Sequence, residues 1–137
     1  KLILMFQKEV ADRIIAKDKS GDLNRLAVLS NWRLDITKHF DVSKNCFFPK
    51  PKINSTILSF KPKKNTEFDI KNPKNLEIVT RALFSNPRKM INKNLLKLFK
   101  NDISVIKKLD IDLDQRPGKL SYEMFYKITA KYEKLFK

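Results

Sequence analysis

The sequence predicts an α/β unit followed by an all-α unit, and three patterns carry that fold class. Residues 2–6 form a continuous apolar run that leads directly into helical spacing. Residues 34–42 alternate apolar and polar side chains, and beyond Lys64 the spacing is helical throughout. A continuous apolar run fits a strand covered on both faces of a parallel sheet. Strict alternation fits a half-exposed strand, and a period near 3.6 fits an amphipathic helix. The boundary falls near Lys64, giving residues 1–64 to the α/β part and residues 65–137 to the helical part.

The strand at residues 2–6 runs into a helix over residues 7–16. There Phe6, Val10 and Ile14 recur every fourth residue, with Lys8, Asp12 and Arg13 around the other side. Ser20-Gly21-Asp22 is a turn, and Asp22 is positioned to cap a helix ending near Trp32. Leu34, Ile36, Phe40 and Val42 share one parity, opposite Asp35, Thr37, His39 and Asp41. Phe47-Phe48-Pro49-Lys50-Pro51-Lys52 is an extended loop, because each proline pushes its predecessor out of the helical region. Residues 53–60 return as a strand antiparallel to the previous one, and residues 61–65 form a linker. In the helical part, Leu76, Val79, Ala82 and Leu83 mark one helix. A second runs over residues 87–99 with Pro87 in its first turn, a short third covers residues 104–109, and Ser121 caps a final one.

Charge narrows the class of partner. The 137 residues carry 30 Lys and Arg against 15 Asp and Glu, a net charge of +15. A field of that strength suits phosphate-rich ligands or anionic membranes, and a lysine-rich composition is the plainer source of it. Clustering favours a patch. No acid lies between Glu77 and Asp102, while Arg81, Arg88, Lys89, Lys93, Lys97 and Lys100 all do, with Lys89, Lys93, Lys97 and Lys100 spaced as one helical stripe. A solvated helix face remains the alternative for each lysine.

Several classes are excluded. One cysteine, Cys46, forbids an intramolecular disulfide, and one histidine, His39, makes a histidine-based metal cluster improbable; no metal site is expected. His39 reads as a solvated side chain and Cys46 as a small buried or half-buried one. Asp110, Asp112 and Asp114 lack the glycine and glutamate of a calcium loop. Gly21 and Gly118, the only glycines, belong to no phosphate-binding loop, and no apolar run reaches the roughly 20 residues of a membrane span.

Phe47 to Ser55 is the segment with chemical potential. An aromatic ring stiffened by prolines and flanked by lysines can stack on a nucleobase while the cations meet phosphate. Equally, the two phenylalanines can plug the core while the prolines shape a crossover.

Four segments, in order, give the chain a recognisable signature. These are Gln7-Lys8-Glu9-Val10-Ala11-Asp12-Arg13, Asn24-Arg25-Leu26-Ala27-Val28, the Phe47–Ser55 segment with its FxPxPKxxS pattern, and Gln115-Arg116-Pro117-Gly118-Lys119-Leu120-Ser121. The chain resembles, over essentially its whole length, the ribosomal RNA adenine-N6,N6-dimethyltransferases of the kasugamycin-resistance family. The macrolide-resistance rRNA methyltransferases share a close version of the FxPxPKxxS segment. The Arg116 region and Phe84-Ser85-Asn86-Pro87-Arg88-Lys89 favour the small-subunit enzyme.

The resemblance implies an S-adenosylmethionine-dependent methyltransferase of Rossmann-like fold with a C-terminal helical rRNA-binding domain. Such enzymes dimethylate two adjacent adenines near the 3′ end of small-subunit rRNA, in the cytoplasm, as monomers that meet the small ribosomal subunit. The family's glycine-rich cofactor loop and Asn-Leu-Pro-Tyr motif do not occur in this sequence. The chain is therefore expected to correspond to the C-terminal half, to hold no cofactor itself and to be inactive alone, with its first strand prone to self-association. By resemblance Phe47 is the ring that stacks on the target adenine, with Pro49, Pro51, Lys52 and Ser55 supporting its loop. Arg88, Lys89 and Arg116 are inherited candidates for rRNA contact; Lys93, Lys97 and Lys100 join them on electrostatic grounds. Asn86-Pro87 replaces a frequent Gln-Arg, and Gly118 a frequent glutamate, which is expected to loosen the turn before the last helix. The rival functions are a non-catalytic RNA- or ribosome-binding module and a macrolide-resistance-type enzyme acting on large-subunit rRNA.

Overall fold

The computed structural model describes residues 1–66 and 68–136. Strands β1 (Leu2–Gln7), β2 (Leu34–Val42) and β3 (Ser55–Pro62) form one sheet in the order β1-β3-β2. Helices α1 (Lys8–Ile14) and α2 (Arg25–Asn31) lie between β1 and β2 in the chain. They are followed after the sheet by α3 (Pro73–Leu83), α4 (Asn92–Leu98), α5 (Ile103–Leu109) and α6 (Tyr122–Phe136).

Both outer strands pair antiparallel with β3, in registers that set Leu4 opposite Leu58 and Ile36 opposite Phe60. This corrects the expectation of a first strand buried in a parallel sheet. β1 is an edge strand whose one neighbour is antiparallel, so Ile3 is 60% and Met5 51% exposed. The α/β signal has a different origin. Because β1 and β2 each oppose β3, they run parallel to each other, and the connection through α1 and α2 is a crossover with β3 inserted between its strands.

One face of the sheet receives α1. Ala11 and Ile14 bury against Leu58 and Phe60, with Phe6, Val10, Leu34 and Ile36 around them. Met5, Ile57 and Phe40 align across the other face. A register shift between Lys38 and Phe40 is what moves Phe40 out of the buried parity, leaving it 59% exposed.

The larger core joins Ala27 and Val28 of α2 to Leu76, Val79 and Leu83 of α3, Leu95 of α4, Val105 and Ile106 of α5, and Phe125 and Ile128 of α6. The segment read as a linker is tied down: the Lys63 amide donates to the Arg33 carbonyl at 2.8 Å and its ammonium to the Asn31 carbonyl at 2.6 Å.

Local chemistry explains the helix starts. Asn24, not Asp22, caps α2: its Oδ1 accepts from the Ala27 amide at 2.9 Å, while the Asp22 amide turns back to Ser20 Oγ. Asn72 and Asp102 cap α3 and α5, and Ser121 Oγ accepts from the Met124 amide at the start of α6 as expected. The helix expected from Pro87 begins only at Asn92. A helix from Pro87 needs the Ile91 amide to bond back to the Pro87 carbonyl; instead it donates to the Gln115 carbonyl at 3.0 Å, and residues 86–89 close a turn.

Gly118 tightens the turn before α6, contrary to the loosening expected. Its carbonyl accepts from the Gly21 and Leu23 amides at 3.1 and 3.3 Å, and a Cβ there collides with the Gly21 carbonyl oxygen. Gly21 itself has φ +92°. Gly118→Ala is therefore expected to destabilise the fold by about 2 kcal/mol, because backbone rather than a flexible side chain must move. A urea unfolding midpoint unchanged from wild type would show that the contact relaxes freely.

Candidate nucleic-acid interface

The loop between β2 and β3 opens with a 3-10 turn over Lys44–Cys46, capped by Ser43 through the Asn45 amide. Cys46 is exposed in this turn rather than buried, because it precedes the segment that leaves the sheet. Phe47 is half-buried, whereas Phe48 is 101% exposed and projects its whole ring into solvent. Pro49, Lys50, Pro51 and Lys52 are exposed, and Ser55 is half-buried at the start of β3.

Two contacts clasp the base of this loop. Asn54 Oδ1 accepts from the Lys44 amide at 2.9 Å, and the Asn54 carbonyl accepts from the Lys8 amide at 2.9 Å. One residue thus joins the entry of the loop, its exit and the start of α1. Beside it Thr56 Oγ1 donates to Asp41 at 2.7 Å and links the end of β2 to β3. That hydrogen bond outweighs desolvation and, with Lys38 and Lys8 nearby, holds the Asp41 carboxyl below its usual value of 3.8.

The basic residues divide into groups. Lys93 and Lys97 are exposed on α4, one turn apart. Arg88 and Lys89 sit in the exposed turn before it, and the Ile91–Gln115 hydrogen bond ties that segment to the loop carrying exposed Arg116. Lys100 follows the helix in a left-handed conformation, its ammonium 4.9 Å from the Phe136 ring centre. The stripe expected on one continuous helix is therefore two α4 lysines flanked by loop residues, because α4 spans seven residues and ends at Leu98.

Other candidates carry little chemistry. His39 Nε2 lies 2.7 Å from Ser59 Oγ, and no described hydrogen bond joins a carboxylate to that pair. Among the described residues no group of three or more His, Cys, Asp and Glu is arranged to hold a metal, and no helix is long and apolar enough to cross a membrane. The two glycines pack against each other, so neither lines a cradle for a nucleoside cofactor.

Three features escaped the sequence reading. Phe48 as a free ring and Asn54 as a clasp follow from loop geometry, which no periodicity encodes. A cleft of about 320 Å³ has Lys108, Lys127, Lys131 and Lys134 around a floor of Phe68, Leu109 and Ala130. The helical spacing of its three α6 lysines was visible in the sequence.

Residues 1–134 match the ribosomal RNA adenine dimethylase family. The chain is 46% identical over 134 residues to a ribosomal RNA small subunit methyltransferase A from Pelagibacter ubique, covering 98% of this chain and 51% of the relative. It is 43% identical over 128 residues to the protein of that name from Malacoplasma penetrans, covering 92% and 46%. It thus spans about half the length of the curated relatives it matches. Among solved structures, a dimethyladenosine transferase from Plasmodium falciparum superposes with TM-score 0.77 at 25% identity, over 96% of this chain and 56% of that one. The 23S rRNA methyltransferase ErmE shares the fold, with TM-score 0.67 at 15% identity over 96% and 54%. With the FxPxPKxxS loop clasped to the start of α1 and the match running from residue 1 to residue 134, this chain belongs to the ribosomal RNA adenine dimethylase family.

Proposed function

We propose that the chain is the target-base and rRNA-docking part of an S-adenosylmethionine-dependent enzyme that dimethylates two adjacent adenines near the 3′ end of small-subunit rRNA. The observation that carries this is the family match over residues 1–134, together with relatives named for small-subunit methylation. In this reading the chain lies after the cofactor-binding strands of a longer, monomeric, cytoplasmic enzyme, as its C-terminal half. The order of its four motifs and the absence of the cofactor and Asn-Leu-Pro-Tyr motifs support that position. Residues 1–64 then complete the methyltransferase sheet and residues 65–137 dock rRNA.

Within that division Phe47 is the stacking platform, and Pro49, Pro51, Lys52 and Ser55 hold its loop. Arg88, Lys89, Lys93, Lys97, Lys100 and Arg116 meet rRNA phosphate. The cofactor supplies the methyl group; this chain supplies the ring that receives an extruded base and the cations that fix the rRNA around it.

The test is methyl transfer by the intact enzyme to isolated small and large ribosomal subunits. Dimethyladenine confined to small-subunit rRNA supports the reading. Product on large-subunit rRNA makes it a macrolide-resistance-type enzyme, and product on neither makes it a non-catalytic module. A second expectation concerns docking. Lys89→Glu should weaken rRNA binding and lower the slope of log affinity against log salt by about 1, because each lost phosphate contact releases fewer counterions. An unchanged slope would remove Lys89 from the interface.

A further inference from the structure

A groove of about 850 Å³ opens beside the clasped loop, between α1, the 20–24 turn and residues 52–54. Nothing in the family assignment gives it a task. Its volume lies in the range of ligand-binding clefts, about 300–1,000 Å³.

Three properties decide what it fits. First, charge: Lys8 is held by Asp12 at 3.2 Å, which cancels one pair. Arg13, Lys17, Lys44 and Lys52 remain against Glu9 and Asp22, an excess of positive charge. Second, surface: Ile15, Ala16 and Ile53 provide an apolar floor, and Asn24 and Asn54 add amide groups at its sides. A cationic wall over an apolar floor suits a chain that is charged along one edge and flat along the other, which describes single-stranded nucleic acid. Third, position: Lys44 and Lys52 bracket Phe47 in the chain, and both line the groove. The Asn54 clasp, with two hydrogen bonds of 2.9 Å, fixes this wall to α1 before any ligand arrives.

We infer that this groove is the track for the single-stranded nucleotides flanking the target adenine, with Arg13 and Lys17 on their phosphates. The inference rests on the proposed rRNA function and extends it to a specific subsite. It also accounts for an economy in the loop: an extruded base needs its neighbours held on either side, and a ring alone cannot do that.

The test uses the intact enzyme that contains this chain. Its affinity for a ten-nucleotide single-stranded RNA with two central adenines, and for a duplex of the same length, is measured by fluorescence anisotropy across salt. The double variant Arg13→Glu/Lys17→Glu should bind the single strand about tenfold more weakly with a shallower salt slope, and lose less on the duplex. Arg13→Gln/Lys17→Gln should lose an intermediate amount, and thermal melting of each variant checks folding. Lys93→Glu/Lys97→Glu serves as the comparison and should affect the duplex at least as strongly. Wild-type affinity of the groove variants for the single strand overturns the inference, and so does an equal loss on both RNAs, which would indicate only the general field. If the α4 variant alone weakens binding, the groove inference fails while the proposed function stands. If the intact wild-type enzyme binds neither of these RNAs nor small-subunit rRNA, both fail.

Discussion

Replacing Glu133 with alanine is expected to destabilise the protein by about 3 kcal/mol, because one carboxylate serves three donors. Glu133 on α6 is 6% exposed and accepts from the Lys71 amide at 2.7 Å, the Asn72 amide at 2.9 Å and Asn75 Nδ2 at 2.8 Å. It therefore closes the start of α3, where a negative charge also favours the helix dipole, and binds α3 to α6 across the larger core. At this chain length the loss corresponds to a fall in Tm of about 10 °C. Burial pushes the Glu133 carboxyl up, but the Lys71, Asn75 and Asn72 hydrogen bonds and the Lys71 charge outweigh it, so it lies below its usual value of 4.5. The sign of the pH effect follows. A depressed folded pKa stabilises the fold above the unfolded value, and that stabilisation is lost as pH falls through 4.5 towards the folded value. The Tm difference between wild type and Glu133→Gln should thus be largest near neutral pH and shrink below about pH 4. Asp41 and Asp102, also held low by hydrogen bonds, titrate in both proteins and cancel from the comparison. A difference that stays flat from neutral to acid pH would show that Glu133 contributes through packing alone.

This residue also marks the limit of what the sequence discloses. Along a single element, pattern was sufficient. The alternation in residues 34–42 became β2, and the run at residues 2–6 became β1. The caps at Ser121 and the helices at 73–83 and 122–136 follow from local spacing. What failed depended on contacts between distant segments. Ile91 spends its amide on Gln115, so α4 starts late; Gly118 packs on Gly21, so a residue judged loosening is a tight contact. The antiparallel pairing of β1 is a topological fact, since β3 comes 48 residues after β1 ends and still inserts between β1 and β2. The site divided in the same way. The Phe47–Ser55 loop and the basic residues were readable as types at fixed positions, while the free ring of Phe48 is set by loop geometry and the Asn54 clasp and the groove arise only when three separated segments meet.

Phe47→Ala in the intact enzyme should lower kcat about 30-fold while changing rRNA affinity less than about threefold. The asymmetry follows from where each energy is spent. Affinity for a large polyanion comes mainly from phosphate contacts, and these lie on the lysines and arginines rather than the ring. The ring acts after docking. A target adenine must leave its stack for its exocyclic nitrogen to reach a methyl donor, and stacking on an aromatic platform, worth about 1–3 kcal/mol per base, compensates part of that loss. Phe47→Tyr retains a flat face and should keep most of the turnover. Phe48→Ala separates the two adjacent rings. Phe47 is half-buried, which restricts its motion, whereas Phe48 is 101% exposed with nothing to fix it. A platform must be oriented before the base arrives, since an ordering cost paid during binding subtracts from the stacking gained. Phe48→Ala is accordingly expected to leave kcat within about twofold of wild type, because a ring without fixed orientation contributes little of the roughly 1–3 kcal/mol of stacking. A loss of kcat confined to Phe48→Ala would transfer the platform to the exposed ring. A loss of affinity without loss of kcat in Phe47→Ala would make it a docking contact.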